Sequence, residues 1–351
     1  MFSSHHLYIE DVQLTAGLHL DWDKLKDSTL LISGASGLIG TFIVDVIMYK
    51  NIHEGLNCRI YALGRNAWKA QERFSSYMNN EHFTFTAHDI NSPLKDFHGT
   101  ADYVLHLASN THPADYSADP VGTILTNIVG LNNLLSFSTE HNTRRFLFTS
   151  TVEVYGENRG DTEYFSEPYC GFIDIAKARA GYPEAKRCGE TLCQSYIKQY
   201  GLDVVIPRLP RTYGPTMQKT DSKAVAQFIR KAAAGEDIVL KSAGTQFYSY
   251  GYVADVAAGV FTVLFSGKTG EAYNIADEES DIALKDLAKI AADYAGKSVV
   301  FELPDAKEQA GYSAATKAVL DSRKVKSLGW RARYDIKAGI TRTLEIMNSR
   351  A

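Results

Sequence analysis

The amino-acid sequence predicts an α/β protein, in which a doubly wound parallel sheet is followed by a smaller, mixed C-terminal lobe. Over residues 1–207, short apolar strand patterns alternate with helix patterns. Apolar strands that alternate with helices are typical of a parallel sheet covered on both faces. After residue 207 the patterns become shorter and more mixed. We therefore expect one unit over residues 1–207, with a later contribution from about 245–262, and a second unit over 208–351.

Each predicted element has a local signal. Strands are predicted where a short apolar run ends at a glycine or a polar residue, and helices where apolar residues recur at helical spacing or a proline such as Pro120 opens the pattern. The predicted strands lie at 29–33, 59–63, 83–86, 103–107, 145–150, 203–207, 238–240 and 299–303. The predicted helices lie at 38–50, 120–138, 182–200, 222–234 and 282–295.

The composition limits the classes of protein that the chain can belong to. The 351 residues carry a formal net charge of −4 without a block of like charges, which argues against nucleic acid or an anionic membrane as the main partner. No apolar run reaches the roughly 18 residues of a membrane span, and the N-terminus lacks a signal-peptide pattern. The four cysteines lack the spacing of a metal site or a disulfide framework. We expect a cytoplasmic protein without a metal.

A glycine-rich turn follows the first predicted strand and opens the first predicted helix. Gly34, Gly37 and Gly40 are separated by two residues each. Glycine lets the backbone approach a pyrophosphate closely, and a helix N-terminus supplies positive potential there. The turn therefore indicates a dinucleotide site, and an ordinary connection between a strand and a helix is the competing explanation.

The end of the second predicted strand normally selects the nicotinamide cofactor, because an acidic residue there binds the ribose 2′-hydroxyl. The segment Leu63-Gly64-Arg65-Asn66 has no acid, and Arg65 can pair with a 2′-phosphate. The sequence leaves NAD and NADP open and favours NADP, unless Arg65 stacks on the adenine or is merely solvated. Asp89 and Ile90 follow the third strand and can contact the adenine edge.

Tyr182 and Lys186 carry the predicted chemistry. They are four residues apart on a predicted helix and so share one face. A nearby ammonium stabilises a phenolate and lowers the pKa of tyrosine from its usual value of about 10. Such a tyrosine can take a proton from a sugar hydroxyl while a hydride leaves for the nicotinamide. Ser150 and Thr151, at the end of the fifth strand, can hydrogen-bond the same oxygen.

These motifs resemble the extended short-chain dehydrogenase/reductases, in particular the NAD-dependent epimerase/dehydratase family that acts on nucleotide sugars. The resemblance covers roughly residues 28–345. It is carried by residues 34–40, 89–90, 106–108, 127, 150–156, 182–186, 213–215, 252–255 and 328–330. It implies a Rossmann-type first unit that binds the dinucleotide tightly, a second unit that mainly binds substrate, and a homodimer through the helices at 120–138 and 182–200. Core packing within one chain is the competing explanation for the apolar stripes of these helices.

The resemblance also implies roles for individual residues. The catalytic residues are Thr151, Glu153, Tyr182 and Lys186. The cofactor contacts are Gly34, Ser36, Gly37, Leu38, Ile39, Gly40, Arg65, Asp89, Ile90, Leu107, Ala108, Asn127, Ser150, Tyr182 and Lys186. The candidate contacts of a nucleotide-diphosphate sugar are Ser109, Arg211, Lys223, Gln227 and Tyr248. For Ser109, Lys223 and Gln227, a solvated loop or helix face is the competing explanation.

The mechanism implied by the resemblance begins at the sugar 4-hydroxyl. Tyr182 removes its proton, C4 gives a hydride to the cofactor, and a 4-keto sugar results. Epimerases return the hydride to the other face, dehydratases lose water across C5 and C6, and glucuronate decarboxylases lose carbon dioxide.

We take an epimerase as the main hypothesis for this chain. A UDP-glucuronate decarboxylase or an atypical dehydratase is the first alternative, and an NADP-dependent sugar reductase or dehydrogenase is the second. A non-catalytic dinucleotide-binding protein is the last, because it would not need Thr151, Tyr182 and Lys186.

Four positions discriminate among these hypotheses. Val152 stands where the 4,6-dehydratases have an aspartate, and valine cannot protonate a leaving hydroxyl. Glu153 matches the glutamate of the decarboxylases, with a purely structural carboxylate as the competing explanation. Two departures count against a decarboxylase, since Tyr248 replaces the arginine of the family and Arg211 replaces an asparagine. We predict that Arg211 supplies the charge lost at Tyr248, because a guanidinium suits bidentate phosphate binding.

Overall fold

The computed structural model describes residues 2–95, 97, 99–111, 116, 118–302 and 316–348. The strands are β1 (Thr29–Ser33), β2 (Arg59–Gly64), β3 (Phe83–Ala87), β4 (Tyr103–His106), β5 (Arg145–Phe148), β6 (Ser150–Thr151), β7 (Val204–Leu209), β8 (Arg211–Tyr213), β9 (Ile238–Leu240), β10 (Phe247–Tyr252), β11 (Ala272–Asn274), β12 (Asp281–Ala283), β13 (Val299–Phe301) and β14 (Lys317–Ala318). The α-helices are α1 (His6–Ala16), α2 (Leu38–Glu54), α3 (Ala67–Arg73), α4 (Pro120–Glu140), α5 (Gly181–Tyr200), α6 (Ala224–Ala233), α7 (Val253–Ser266), α8 (Leu284–Ala295), α9 (Arg323–Ser327) and α10 (Ile336–Asn348). Short 3-10 helices lie at Phe2–Ser4, Trp22–Leu25, Val152–Tyr155, Ala178–Ala180 and Glu278–Ser280.

A parallel sheet forms the centre of the fold. Its strand order is β11-β7-β5-β4-β1-β2-β3, and β6 also pairs with β7. Every neighbouring pair in this sheet is parallel. The strand order runs outward from β1 in both directions, so it reverses between β1 and β4. In doubly wound sheets the ligand crevice lies at the carboxyl ends of the strands beside this reversal. The predicted fold class is confirmed.

Helices cover both faces of the large sheet. Leu30 and Ile32 of β1 belong to one buried cluster and Leu31 to another, as the alternation of side chains along a strand requires. Apolar side chains of α2 and α7 complete the first cluster, and those of α4 and α5 complete the second. The sheet is therefore sandwiched between two apolar layers, which explains why its strands read as continuous apolar runs.

The later part of the chain forms two smaller sheets. In one of them β10 pairs in parallel with β8 and β14 and antiparallel with β12. In the other, β9 and β13 pair in parallel. This arrangement is the smaller mixed lobe that the sequence predicts. The division near residue 207 stays a prediction, since β11 and α7 come later in the chain yet belong to the large sheet and to a layer that covers it.

Most of the predicted elements are present, with shifted ends. The predicted strand at 145–150 is divided into β5 and β6. The predicted helix at 282–295 begins at Leu284, because Asp281–Ala283 pairs with β10 as a strand. The predicted strand at 299–303 ends at Phe301, and Leu303 lies outside the described residues.

The N-terminal helix α1, which the sequence patterns did not reveal, is fixed by a buried carboxylate. Asp11 accepts hydrogen bonds from the Tyr252 hydroxyl at 2.6 Å, the Tyr334 hydroxyl at 2.9 Å and Nε of Arg342 at 2.8 Å. Burial raises the pKa of Asp11, although these donors oppose the shift. The cluster ties the segment before β1 to β10 and to the C-terminal helix α10.

The sequence predicts no membrane span, no metal site and no disulfide framework, and the structure bears on each of these points. None of the helices in the described part of the chain combines the length and the apolar character that a membrane span needs. Among the same residues, no group of three or more His, Cys, Asp or Glu side chains could hold a metal ion. The cysteines are free thiols, buried at positions 58 and 193 and exposed at positions 170 and 188. The cytoplasmic location stays a prediction.

Candidate active site

One large cleft, with a volume of about 1340 Å³, contains nearly all of the predicted site residues. It lies beyond the carboxyl ends of β1 and β4, at the reversal of the strand order, and extends to β8, β9 and β10. The predicted residues that line it are Gly34, Ser36, Gly37, Leu38, Ile39, Gly40, Arg65, Asp89, Ile90, Leu107, Ala108, Ser109, Ser150, Thr151, Glu153, Tyr182, Lys186, Arg211, Lys223, Gln227 and Tyr248. Asn127 is the predicted residue that does not line the cleft.

At the glycine turn, backbone atoms pack directly against other backbone atoms, and the absence of side chains leaves space for a ligand. Gly34 has a positive φ of 74°, and a Cβ added there would lie 2.7 Å from the amide nitrogen of Ala108. A Cβ at Gly40 would lie 2.5 Å from the carbonyl oxygen of Gly34. The first amides of α2, which begins at Leu38, have no partner within the helix and can therefore bind an anion. The residues present therefore fit the pyrophosphate of a dinucleotide.

The rim of the cleft at the ends of β2 and β3 carries the residues predicted to select the cofactor. Arg65 is exposed, and the half-buried Lys69 of α3 lines the cleft beside it. Sequence patterns did not single out Lys69, although it follows Arg65 by one helical turn. Asp89 is exposed and accepts a hydrogen bond from the Asn91 amide at 3.0 Å. This rim contains two cations.

Asn127 acts from behind the cleft wall. The Ser109 hydroxyl donates a hydrogen bond to Oδ1 of Asn127 at 3.0 Å, and Nδ2 of Asn127 donates to the Thr123 carbonyl at 2.8 Å. Asn127 is fully buried, because α4 passes behind the loop that follows β4. It therefore orients Ser109, and the cofactor contact predicted for Asn127 stays a prediction.

Tyr182 lies at the first turn of α5 and is buried at the floor of the cleft. Its ring stacks on Tyr116 with 4.9 Å between centroids. Burial and the nearby carboxylate of Glu153 raise the pKa of Tyr182 above its usual value, whereas a hydrogen bond from Thr151 and the charge of Arg179 oppose the shift. The prediction of a lowered tyrosine pKa is therefore wrong for this structure, because desolvation outweighs the charge of Arg179 and the hydrogen bond from Thr151.

Lys186 lies one helical turn after Tyr182, and its amine is turned toward the strand ends. Its Nζ donates a hydrogen bond to the Thr149 carbonyl at 2.8 Å and lies 4.6 Å from the centre of the Phe148 ring. Burial lowers the pKa of Lys186 to about 7, and the charges of Cys193 and Glu190 only partly oppose this. The amine is thus available as a donor to a ligand in the cleft but carries less charge than a surface lysine at neutral pH.

Lys186→Met is expected to flatten the pH dependence of stability between pH 7 and 10. Lys186 has a pKa of about 7 in the folded protein, whereas an unfolded lysine titrates near 10.4. Between these values the unfolded chain holds a proton that the folded chain lacks, so the free energy of unfolding rises with pH, by up to about 1.4 kcal/mol per pH unit. Urea unfolding of both proteins at each pH measures this, because other titrating groups cancel in the difference. Parallel stability curves would contradict the low pKa.

Glu153 forms an ion pair that the sequence analysis did not foresee. Nη2 of Arg179 lies 2.9 Å from Oε1 and 2.8 Å from Oε2 of Glu153. The Arg179 guanidinium also lies 4.5 Å from the centre of the Tyr116 ring, and its buried Nε has no hydrogen-bond partner in the described part of the chain. The position of Arg179, three residues before Tyr182, was the available sequence signal.

Arg211 and Tyr248 form a stacked pair in the wall of the cleft. The central carbon of the Arg211 guanidinium lies 3.5 Å from the centre of the Tyr248 ring. The pair bridges two neighbouring strands, since Arg211 of β8 is in register with Tyr250 of β10. The buried Nη1 of Arg211 has no hydrogen-bond partner among the described residues. The structure therefore brings together the two positions at which the chain departs from the family pattern.

Lys223 and Gln227 line the cleft but make local contacts. Nζ of Lys223 lies 3.4 Å from the buried carboxylate of Asp221, and Nε2 of Gln227 donates to the Ser222 carbonyl at 2.7 Å. Their roles as substrate contacts stay predictions. Further polar residues of this end of the cleft, which the sequence analysis did not single out, are Gln218, Lys231, Lys241, Ser242, Gln246 and Glu302.

A buried polar network supports Ser150 from behind. The Ser150 hydroxyl donates to Glu190 at 2.5 Å, and Arg208 donates to both oxygens of Glu190 at 2.9 and 2.6 Å. Arg208 also donates to the Tyr155 hydroxyl at 2.8 Å, which donates to Asn274 at 2.6 Å. Each charge in this network is paired, as burial requires. The network joins the ends of β6, β7 and β11 beneath the cleft.

The fold and the cleft define a class of protein, an enzyme that depends on a dinucleotide. Residues 30–276 match the family model described as the NAD dependent epimerase/dehydratase family. The chain therefore belongs to this family, within the extended short-chain dehydrogenase/reductases.

The individual relatives have several activities. UDP-glucuronic acid decarboxylase 3 of Arabidopsis thaliana is 30% identical over 316 residues, which cover 89% of this chain and 86% of the relative. Among solved structures, UDP-glucuronic acid 4-epimerase from Bacillus cereus, in complex with UDP-glucuronic acid and NAD, is 20% identical with a TM-score of 0.78 over 92% of this chain and 100% of that chain. A dTDP-glucose 4,6-dehydratase from Streptomyces venezuelae is 22% identical with a TM-score of 0.78 over 92% of this chain and 97% of that chain. The two solved structures support the fold.

Proposed function

We propose that the protein decarboxylates a nucleotide-diphosphate uronic acid, with UDP-glucuronic acid as the substrate that its relatives indicate. The observation that carries the proposal is the convergence on Tyr182 of Thr151 and of the Glu153–Arg179 ion pair. Thr151 and Tyr182 supply proton transfer at C4. Arg179 neutralises Glu153, so a substrate carboxylate can approach without facing an unpaired negative charge. The curated relative supports this alternative better than the epimerase, which was the main hypothesis from sequence.

The residues of the cleft divide the reaction between binding and proton transfer. When bound in the cleft, NAD would supply the acceptor for the hydride that leaves C4. The amides around Gly34 and Gly37 hold the pyrophosphate, and the Lys186 amine remains in reach of hydroxyl groups on the cleft floor. Tyr182 takes the proton of the 4-hydroxyl, and the Thr151 hydroxyl stabilises the phenolate by a hydrogen bond. Because burial raises the pKa of Tyr182, we infer that its proton leaves only when the cationic cofactor and the substrate are in place.

The 4-ketone makes the loss of carbon dioxide chemically accessible. The C6 carboxylate is then β to a carbonyl group, so the electrons of the C5–C6 bond pass into an enolate at C4 as carbon dioxide leaves. The enolate takes up a proton at C5 from water, Tyr182 returns its proton to the C4 oxygen, and the reduced cofactor would supply the hydride that C4 regains. The product is a nucleotide-diphosphate pentose, and the cofactor is regenerated within one turnover. The buried Val152 offers no acid for the loss of water, which argues against a dehydratase.

The C4 epimerase is the second candidate, because Tyr248 stands where the resemblance implies an arginine in decarboxylases. Incubation with UDP-glucuronic acid, followed by mass spectrometry of the nucleotide sugar, separates the candidates. We expect a product lighter by the mass of carbon dioxide, without accumulation of reduced cofactor. A product of unchanged mass and altered retention identifies an epimerase, and accumulated reduced cofactor identifies a dehydrogenase. Either result would contradict the decarboxylase.

The proposed cofactor is based on the family to which the chain belongs. We propose NAD as the cofactor, in keeping with the family, whereas the NADP preference suggested by Arg65 stays a prediction.

We propose a homodimer through α4, because three apolar residues at intervals of four are exposed on this helix: Val121 at 65%, Leu125 at 44% and Val129 at 37%. Such a stripe is typical of a helix–helix interface. A monomeric mass by light scattering would contradict the dimer.

A further inference from the structure

Arg211 is a cation in the cleft wall that has no counter-charge among the residues that the structure describes. The central carbon of its guanidinium lies over the ring of Tyr248, 3.5 Å from the ring centre, and the Tyr248 side chain is itself buried. No carboxylate pairs with Arg211 in the described part of the chain, and its buried Nη1 lacks a hydrogen-bond partner there. Two other arginines of the same region have a carboxylate partner, since Arg179 pairs with Glu153 and Arg208 with Glu190, although the buried Nε of Arg179 also lacks a hydrogen-bond partner among the described residues.

An arrangement of this kind is costly unless a ligand completes it. A buried nitrogen donor without a partner loses the hydrogen bonds that water gave it, and folding does not return them. Stacking on an aromatic ring fixes the plane of the guanidinium and leaves its edge directed away from the ring. The group that best fits such an edge is an oxyanion, because its two oxygens accept two parallel N–H donors.

The surroundings of Arg211 place this edge near the reaction centre. Burial is the main reason why the pKa values of Tyr182 and Tyr248 are raised, and the carboxylate of Glu153 contributes to both shifts, so both tyrosines lie within range of the same charge. The glycine turn directly follows β1, whereas Arg211 belongs to β8 and lines the cleft together with Glu153 and Tyr182. This placement assigns Arg211 to the sugar part of the cleft rather than to the dinucleotide part.

We propose that Arg211, supported by the ring of Tyr248, binds the oxyanion of the substrate and makes the enzyme selective for acidic sugars. This inference rests on the proposed function and names the residue that would set its substrate class. The guanidinium of Arg211 is carried by β8, whereas the family's arginine would stand at position 248 in β10. In this chain the aromatic ring of Tyr248 stacks on the guanidinium and supports it. The oxyanion is either the sugar carboxylate or the diphosphate, and the position near Tyr182 favours the carboxylate.

Binding measurements test the proposal without depending on turnover. In a Tyr182→Phe background, which blocks the reaction, calorimetry gives the affinities for UDP-glucuronic acid, UDP-glucose and UDP. We expect Arg211→Gln to weaken UDP-glucuronic acid by about 10- to 100-fold, the range of a lost charge-assisted hydrogen bond, while UDP-glucose and UDP change little. An equal loss for all three ligands supports an oxyanion receptor and assigns it to the diphosphate. Unchanged affinity for all three overturns the proposal.

Two further variants keep the test decisive. Arg59→Gln removes one positive charge from the exposed start of β2, at the opposite end of the strands, and should leave all three affinities unchanged. If Arg211→Gln does not fold, Tyr248→Leu removes the platform while keeping the charge, and it should weaken UDP-glucuronic acid selectively.

The proposal and the proposed function can fail separately. If the product proves to be a C4 epimer, the decarboxylase is wrong and the binding result for Arg211 still holds. If carbon dioxide is lost and Arg211→Gln binds all three ligands normally, the decarboxylase is correct and the oxyanion-binding role of Arg211 is wrong.

Discussion

Turnover of UDP-glucuronic acid is expected to fall by about 10²- to 10⁴-fold when Tyr182 is replaced by phenylalanine, the usual contribution of a positioned acid–base group. Only the hydroxyl is removed, so the stacking on Tyr116 is kept. No phenolate can form in this variant, so the hydrogen bond from Thr151 and the charge of Arg179 have no oxygen to stabilise. Because the loss lies in proton transfer, kcat should fall far more than the affinity for the nucleotide sugar.

Tyr196→Phe provides the matched control. It makes the same chemical change on the same helix, and the Tyr196 hydroxyl donates to Asn132 at 3.0 Å in an exposed position outside the cleft. Steady-state rates of both variants, measured beside thermal unfolding, separate a catalytic loss from a loss of folding. A Tyr182→Phe protein that retained more than a tenth of the turnover would remove Tyr182 from the reaction centre.

The sequence was most informative where structure is local. The turn at Gly34, Gly37 and Gly40 and the pair Tyr182 and Lys186 are short motifs, and the topology of a parallel sheet brings the ends of β1, β4 and β6 to one edge. Once the strands are predicted, these motifs must meet at that edge. The fold class and the position of the cleft follow from this without knowledge of distant contacts.

The contacts that the sequence did not reveal join residues far apart in the chain. Asp11 fixes α1 through Tyr252, Tyr334 and Arg342, which are 241, 323 and 331 residues away. The pairing of Glu153 with Arg179 spans 26 residues and depends on how a loop folds back. No local pattern distinguishes such partners from other polar residues.

Burial explains the one wrong prediction about chemistry. The spacing of Tyr182 and Lys186 indicates that they are neighbours, but a pKa depends on how much water each group has lost. Both are buried, so the pKa of the phenol is raised and that of the amine is lowered to about 7. A sequence shows which charges can meet, and the depth of the cleft decides which charge state each group prefers.

Gly34→Ala is expected to abolish retention of the cofactor and to lower the free energy of unfolding by about 2 to 4 kcal/mol, from a strained backbone and an overpacked contact. Gly34 has a φ of 74°, and an added Cβ would lie 2.7 Å from the Ala108 amide. Relief of this overlap requires β1 and β4 to separate where the pyrophosphate is expected to lie. Nucleotide released by denaturing the purified protein, identified by mass spectrometry, measures retention and distinguishes NAD from NADP.

Gly55→Ala separates the two causes. Gly55 ends α2 with a φ of 63°, and a Cβ there would meet nothing within 4 Å. It carries the cost of a left-handed backbone without the close approach, so its free energy of unfolding should fall by about 1 to 2 kcal/mol and its cofactor should be kept. If both variants lost cofactor equally, the turn at Gly34 would matter only for folding. If only Gly34→Ala lost it, the contact between the two strand ends is what shapes the dinucleotide site.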